Sequence, residues 1–347
     1  MSENLDQIYF FQNKTFTRKE DEYQNTRKNI EKDDLLWQKL NGIIREISAK
    51  EKEENQSLLI DLETGRLDSN QYHETYGKNN KHYSKEVKEG IEETLREYTE
   101  KWYNSINQKE ELENYIKNIL KGEKAELFIL INLYKFLKED FIIVRSSYYD
   151  DVDNGVDTII LDKQSGNIVC ALDESSSFSI NFDEKKKKIL EKNLKGGARL
   201  QYGLQLEKQN NKTIIKGTPV KNIPLFYLPI DINEIEENLK LDEFKLDEIT
   251  DVDRKTFYFL MTNIIIQAED FETLSASKDI HFPQELVNKT KNFIGRIKKL
   301  YPNISFKDSP KNSLQKGPLS PVFYTSKNQI PLSEIDKYRV KNTSDEK

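Results

Sequence analysis

One stretch limits the folds open to this chain more than any other: residues 150–174, DDVDNGVDTIILDKQSGNIVCALDE. Four acidic residues, Asp150, Asp151, Asp153 and Asp157, crowd a turn built on Asn154-Gly155. An apolar strand, TIILD, leaves Asp157, and the turn Lys163-Gln164-Ser165-Gly166 reverses the chain. A second strand, NIVCALDE, ends in Asp173-Glu174. Two apolar strands of a hairpin thus carry acids at neighbouring ends. Crowded or buried carboxylates are costly unless protonated, paired or bound to a metal. Divalent-metal binding is the leading explanation.

Blander explanations bear unequally on these acids. Solvation at a surface turn accounts for Asp150, Asp151 and Asp153, since Asn-Gly is a common turn in its own right. It accounts poorly for Asp157, which opens an apolar strand. By period-two alternation Val169, Ala171 and Asp173 share one strand face, while Ile168, Cys170, Leu172 and Glu174 share the other. One of the two terminal acids must therefore continue an apolar face. An EF-hand is excluded. Counted from Asp151, the glycine arrives one residue early and the twelfth position is Asp162, and the flanks are strands.

The surrounding elements place the hairpin in a mixed domain. Residues 123–138, EKAELFILINLYKFLK, read as an apolar helix after Gly122, with Glu126, Leu130, Leu133 and Leu137 on one face. The acid at the head of that stripe is open to a plainer reading, attraction to the helix N-terminus. Strand 141–147, the hairpin, a lysine-rich helix at 183–195 and strand-like runs at 198–207 and 213–231 follow. Helix, three strands, helix, strands is the order of an α+β fold with an α/β core. Four segments result: a helical N-terminal region 1–120, the αβ core 121–231, a helical extension 232–302 and an irregular tail 303–347.

In the N-terminal region, residues 25–54 and 83–107 show apolar stripes at helical spacing, the second made of Val87, Ile91, Leu95, Tyr98 and Trp102. A further helix is expected at 109–120, and 60–82 reads as a polar connector. These helices either pack on the core or clasp a protein partner or a second copy. Beyond the core, 253–268 should be a buried helix and 284–300 a basic amphipathic one.

Composition narrows the function. The chain has 347 residues, 36% hydrophobic and 33% charged, with a net charge of −6. No global basic field exists, so nucleic-acid binding needs a local basic face. A single cysteine, Cys170, excludes a disulfide framework and a Cys-rich zinc site, and three scattered histidines (His73, His82, His281) argue against a His-rich one. Neither a signal peptide nor an apolar run of the ~18 residues a membrane span needs is visible. A cytoplasmic protein without a membrane partner is expected.

The core resembles the PD-(D/E)xK nuclease superfamily, with its restriction-endonuclease-like mixed sheet flanked by helices. GEKAE supplies the helix acid, Gly122 preceding Glu126; NGVD supplies the acid opening the second strand, Asp157; IVCALDES supplies the third-strand end, Asp173 and Glu174. The resemblance covers about residues 122–231. It implies a catalytic set of Glu126, Asp157, Asp173 and Glu174. Within it, Asp157, Asp173 and Glu174 would ligate Mg²⁺, or Mn²⁺ in its place. The family's lysine two residues after the strand acid is missing, since Ser175 and Ser176 stand there. A lysine from 185–188 or Lys192 on the next helix, or Arg199 or Gln201 on the next strand, are the replacements to look for. Lys185, Lys186, Lys188, Lys192 and Arg199 would contact nucleic acid, DNA rather than RNA; an ordinary solvated helix face is the alternative. The resulting expectation is a metal-dependent phosphodiester hydrolase. The alternative is a nuclease-like module without catalysis that binds nucleic acid or protein. Nucleotidyl transfer is weaker, because no Gly-rich phosphate loop is present.

Overall fold

The computed structural model describes residues 14–105, 109–176, 182–209, 212–275 and 283–301. Its centre is a four-stranded sheet. Strands β1 (Phe141–Arg145), β2 (Thr158–Asp162) and β3 (Ile168–Ser175) form an antiparallel meander, and β6 (Leu225–Pro229) lies parallel to β3, giving the order β1-β2-β3-β6. A parallel return needs a long crossover. Helix α7 (Phe182–Leu194) and a two-stranded hairpin, β4 (Ala198–Gln209) with β5 (Lys212–Ile223), supply it. Pro224 separates β5 from β6, so the strand-like run at 213–231 serves two sheets.

Every residue of β1, β2 and β6 is buried, because helices or the hairpin cover both faces. That explains the unbroken apolar runs FIIV, TIIL and LFYL. On one face Phe141, Ile143, Ile160, Cys170 and Leu172 pack under α5 (Lys109–Leu137), α2 (Leu35–Glu54), α9 (Asp251–Ser275) and α10 (Gln284–Leu300). On the other, Ile142, Val144, Ile159 and Ala171 meet α7, the β4–β5 hairpin and α3 (Ser69–Tyr76). The α+β class is as expected. The buried positions of α9 and α10, among them Leu260, Ile264, Phe293 and Ile297, fall within the segments read as packed helices.

Three local expectations are corrected. The run 25–54 is not one helix: α1 (Lys14–Asp33) ends where Asp34 caps α2, its Oδ1 accepting from Trp37 N at 2.8 Å. The helices expected at 109–120 and 123–138 are one, α5. A mid-helix glycine costs only about 1 kcal/mol relative to alanine. Leu112, Ile116, Leu120, Leu127 and Ile131 bury a stripe that continues past Gly122, and a Cβ at Gly122 would meet nothing within 4 Å. Glu126 therefore sits deep inside a helix, and attraction to a helix N-terminus does not explain it. Finally, 60–82 is more than a connector. Leu67 N donates to Arg145 O (3.1 Å) and Arg145 N to Gly65 O (3.2 Å), so this segment covers the outer edge of β1.

Helix α4 (Lys85–Ser105) buries Leu95 but leaves Tyr98 48% exposed. Residues 8–11 (IYFF), His281 and the tail from 303 lie outside the described residues. Among those described, no helix is long and apolar enough to cross a membrane.

Helix α2 carries a titratable weak point. Glu51 is fully buried beside Ile47 and Ser48; Asn55 Nδ2 donates to one carboxylate oxygen at 3.1 Å, and the other has no hydrogen-bond partner among the described residues. Burial pushes its carboxyl up to about 7, against the pull of Lys163. The folded value lies above the unfolded one, so the proton-linked stabilisation present below about pH 4.5 is lost as pH rises through about 7. Glu51→Gln should therefore gain roughly 2–3 kcal/mol more stability over the native chain at pH 8 than at pH 5 in urea unfolding. Equal effects at the two pH values would contradict this.

Candidate metal centre

The antiparallel meander brings the end of β1, the start of β2 and the end of β3 to one edge of the sheet. Arg145, Asp157, Asp173 and Glu174 are thereby neighbours, and α5 adds Glu126 from above. The acid-rich segment between β1 and β2 is a short helix, α6 (Tyr148–Asn154). Ser147 caps it: its Oγ accepts from Asp150 N (3.1 Å) and donates to Asp150 Oδ2 (2.8 Å). Gly155, at φ 54°, ends it in the left-handed region, where its N–H reaches Asp150 O and Asp151 O.

This helix corrects the solvated-turn reading of two acids. Asp150 is fully buried and accepts from Gln201 N (2.7 Å), Tyr202 N (3.0 Å) and Asn154 Nδ2 (3.1 Å), fastening β4 to α6. Burial lifts its carboxyl to about 6, with those hydrogen bonds pulling the other way. Asp151 turns toward the sheet edge. Asp153 alone is exposed, as a solvated turn acid should be.

At the centre, one oxygen each from Glu126, Asp151 and Asp157 lies within 4.8 Å of the others. Asp157 is wedged into the strand ends. Its N–H donates to Leu172 O (2.9 Å) and its Oδ2 accepts from Glu174 N (2.6 Å). Arg145 Nη2 pairs with Glu126 Oε2 at 2.6 Å, and Arg66 Nη2 spans Glu126 Oε2 (3.3 Å) and Asp151 Oδ2 (2.8 Å). Lys185 Nζ stands 3.5 Å from Asp173 Oδ1 and 5.3 Å from the centre of the Tyr227 ring. Lys192 donates to Asn154 O.

The electrostatics divide the acids. Burial works against the Glu126 charge, but Arg145 and Arg66 outweigh it and hold that carboxyl below its usual range. Burial raises Asp151 despite Arg66, and raises Asp173 despite Lys185. Asp157 and Glu174 go well above the usual range, first through burial and then through the surrounding acids, Glu126 foremost. Lys185 stays an ammonium ion: burial disfavours its charge, but Asp173 more than compensates.

Five carboxyls, Glu126, Asp151, Asp157, Asp173 and Glu174, thus meet four cationic side chains, Arg66, Arg145, Lys185 and Lys192. Glu174 is the residue whose needs go unmet. It is 6% exposed, and neither carboxylate oxygen has a hydrogen-bond partner among the described residues, although Thr158 stands close enough to favour its ionised form. Orphaned buried oxygens of this kind call for an explanation. A hard-oxygen donor set beside them suits Mg²⁺ or Mn²⁺. Glu126, Asp151 and Asp157 would hold the ion, with Glu174 or Asp173 as the further acid.

Of the residues singled out in the sequence, Glu126 and Asp157 converge directly, and Asp173 and Glu174 border them through their charges. Lys185 and Lys192 reach the acids from α7. Lys188 and Arg199 are exposed, and the Lys186 side chain lies outside the described residues. Gln201 turns its amide to His82 O (2.6 Å) and plays no part at the acids through its side chain. Asp151, expected as a solvated turn acid, belongs to the site, as do Arg66 and Arg145, which the sequence does not single out. The Ser147-x-x-Asp150 capping pattern with Gly155 signals the helix that aims Asp151; nothing local marks Arg66. His73 binds Tyr202 OH (2.7 Å) and Tyr83 O (2.9 Å) in a cluster with the buried Tyr72.

A cation entering here competes with the proton that burial and neighbouring charge favour on Asp157. Mn²⁺ binding should therefore release protons and tighten as pH rises, and Asp157→Asn should weaken both effects. Calorimetry in two buffers of different ionisation enthalpy measures the release. Proton-neutral, pH-independent binding would show that Asp157 is no ligand.

No protein-family model matches the chain, and neither the curated proteins nor the solved structures give a match.

Proposed function

We propose that the chain is a Mg²⁺-dependent nuclease that hydrolyses phosphodiester bonds in DNA on a restriction-endonuclease-like core of the PD-(D/E)xK kind. The observation that carries this reading is the meeting of Glu126, Asp151 and Asp157 at the strand ends, with a lysine brought to Asp173 from the following helix. The order helix α5, strands β1–β3, helix α7, strand β6, with β6 parallel to β3, supports it. Lys185 stands in for the lysine that Ser175 and Ser176 do not provide.

A bound divalent cation would polarise the scissile phosphate and lower the pKa of its water. The chain's own residues have separable tasks around it. Glu126, fixed by Arg145, and Asp157, fixed by Glu174 N, present oxygens that cannot drift. Lys185 keeps its proton, so it steadies negative charge on the phosphate and does not act as a base. Lys188 and Arg199, both exposed, offer contacts to the nucleic-acid backbone beyond the reacting group.

A second reading keeps the fold and drops the catalysis. Glu126 is already paired with two arginines, which supports a nuclease-like module that binds nucleic acid or protein without cutting. Cleavage of DNA and RNA in Mg²⁺ separates the two. The native chain should cut DNA; Asp157→Asn should lose activity by at least ~10³-fold and Lys185→Ala by ~10²-fold or more. Cleavage that survives both substitutions refutes the assignment. Binding with no Mg²⁺-dependent turnover favours the second reading.

A further inference from the structure

Arg66 comes from outside the nuclease-like core, and its backbone is firmly held. Asp61 N donates to Arg66 O at 2.8 Å, and the Leu67 and Arg145 amides bind across the β1 edge. Gly65 at φ 68° turns the chain against α2, where an added Cβ would stand 2.9 Å from Ile44 Cγ2. The side chain is buried and spends its donors on Asp151 Oδ2, Glu126 Oε2 and, at 3.4 Å, Ser146 O. It does not face a polymer in solution, so it is not placed to clamp one. For Glu126 it is the second partner, since Arg145 is closer, at 2.6 Å against 3.3 Å. Its shortest ionic contact is to Asp151, one of the three converging donors.

An arginine keeps its charge at any working pH. A guanidinium in contact with two of three donors therefore opposes a divalent cation in two ways. It occupies their lone pairs, and it repels the ion at short range in a medium of low dielectric. From this we infer that Arg66 is an internal counter-ion that sets the affinity of the acid cluster for a divalent cation, which binds only as the guanidinium gives up Asp151. The inference rests on the metal reading above. It makes the segment at 58–67 part of the metal site and gives that site a built-in weakness toward free ions.

Mn²⁺ affinity, read from the free-ion signal by electron paramagnetic resonance, tests it on the full chain. Arg66→Gln keeps a hydrogen-bonding group and removes the charge, and should tighten Mn²⁺ binding at least about tenfold. Arg66→Lys keeps the charge and should stay within about threefold of the native chain. On the native chain itself, arginine side-chain NMR should show the Arg66 guanidinium passing from hindered to fast rotation at saturating Mg²⁺, while Arg145 stays hindered. That measurement decides the matter if Arg66→Gln does not fold. Native binding with Arg66→Gln unchanged or weaker, or an Arg66 still locked at saturating Mg²⁺, overturns the inference and leaves the metal reading intact. No Mn²⁺ binding by the native chain or by either variant overturns both.

Discussion

The desolvation of Asp157 is the constraint around which this edge of the molecule is arranged. The side chain is 7% exposed at the start of a strand covered on both faces, with four other carboxyls near enough to oppose its ionisation. Such surroundings favour its neutral form. The neighbouring groups offset part of this crowding. Glu174 N fixes one oxygen, Arg145 and Arg66 neutralise the acids behind it, and Lys185 balances Asp173.

That arrangement follows from topology. An antiparallel meander sets the end of β1, the start of β2 and the end of β3 side by side. The parallel return of β6 forces the chain over the opposite face, and α7 carries Lys185 and Lys192 across in the process. Asp157 and Lys185 are far apart in sequence, yet the crossover leaves them on one side of one sheet edge. The N-terminal segment closes the outer edge of β1 and delivers Arg66. Asp150 secures the assembly from beneath by holding two backbone amides of β4.

Much of this was legible in the sequence, for physical reasons that differ by residue. Strand runs that are apolar throughout mark a sheet buried on both faces, and acids at their ends stand out against that background. Glu126 was legible because it heads an inward stripe. Asn-Gly suggests a solvated surface turn for Asp150 and Asp151, whereas the Ser147 cap and the left-handed Gly155 make the same residues a helix. Gly122 suggests a boundary between two helices, which packing on both sides of it overrides. Arg66 was beyond reach, since only the register of a segment across β1 brings it to the acids. Lys185 could be nominated from its helix but not chosen among its neighbours.

The central claim is that these carboxylates form one cation site. The most direct measurement is an anomalous difference map from crystals of the full chain equilibrated with Mn²⁺. The account predicts a peak within bonding distance of Asp157 and at least one of Glu126, Asp151 and Glu174. A saturating Mn²⁺ soak that leaves no peak there, with Arg66 and Arg145 still paired to Glu126, would contradict it.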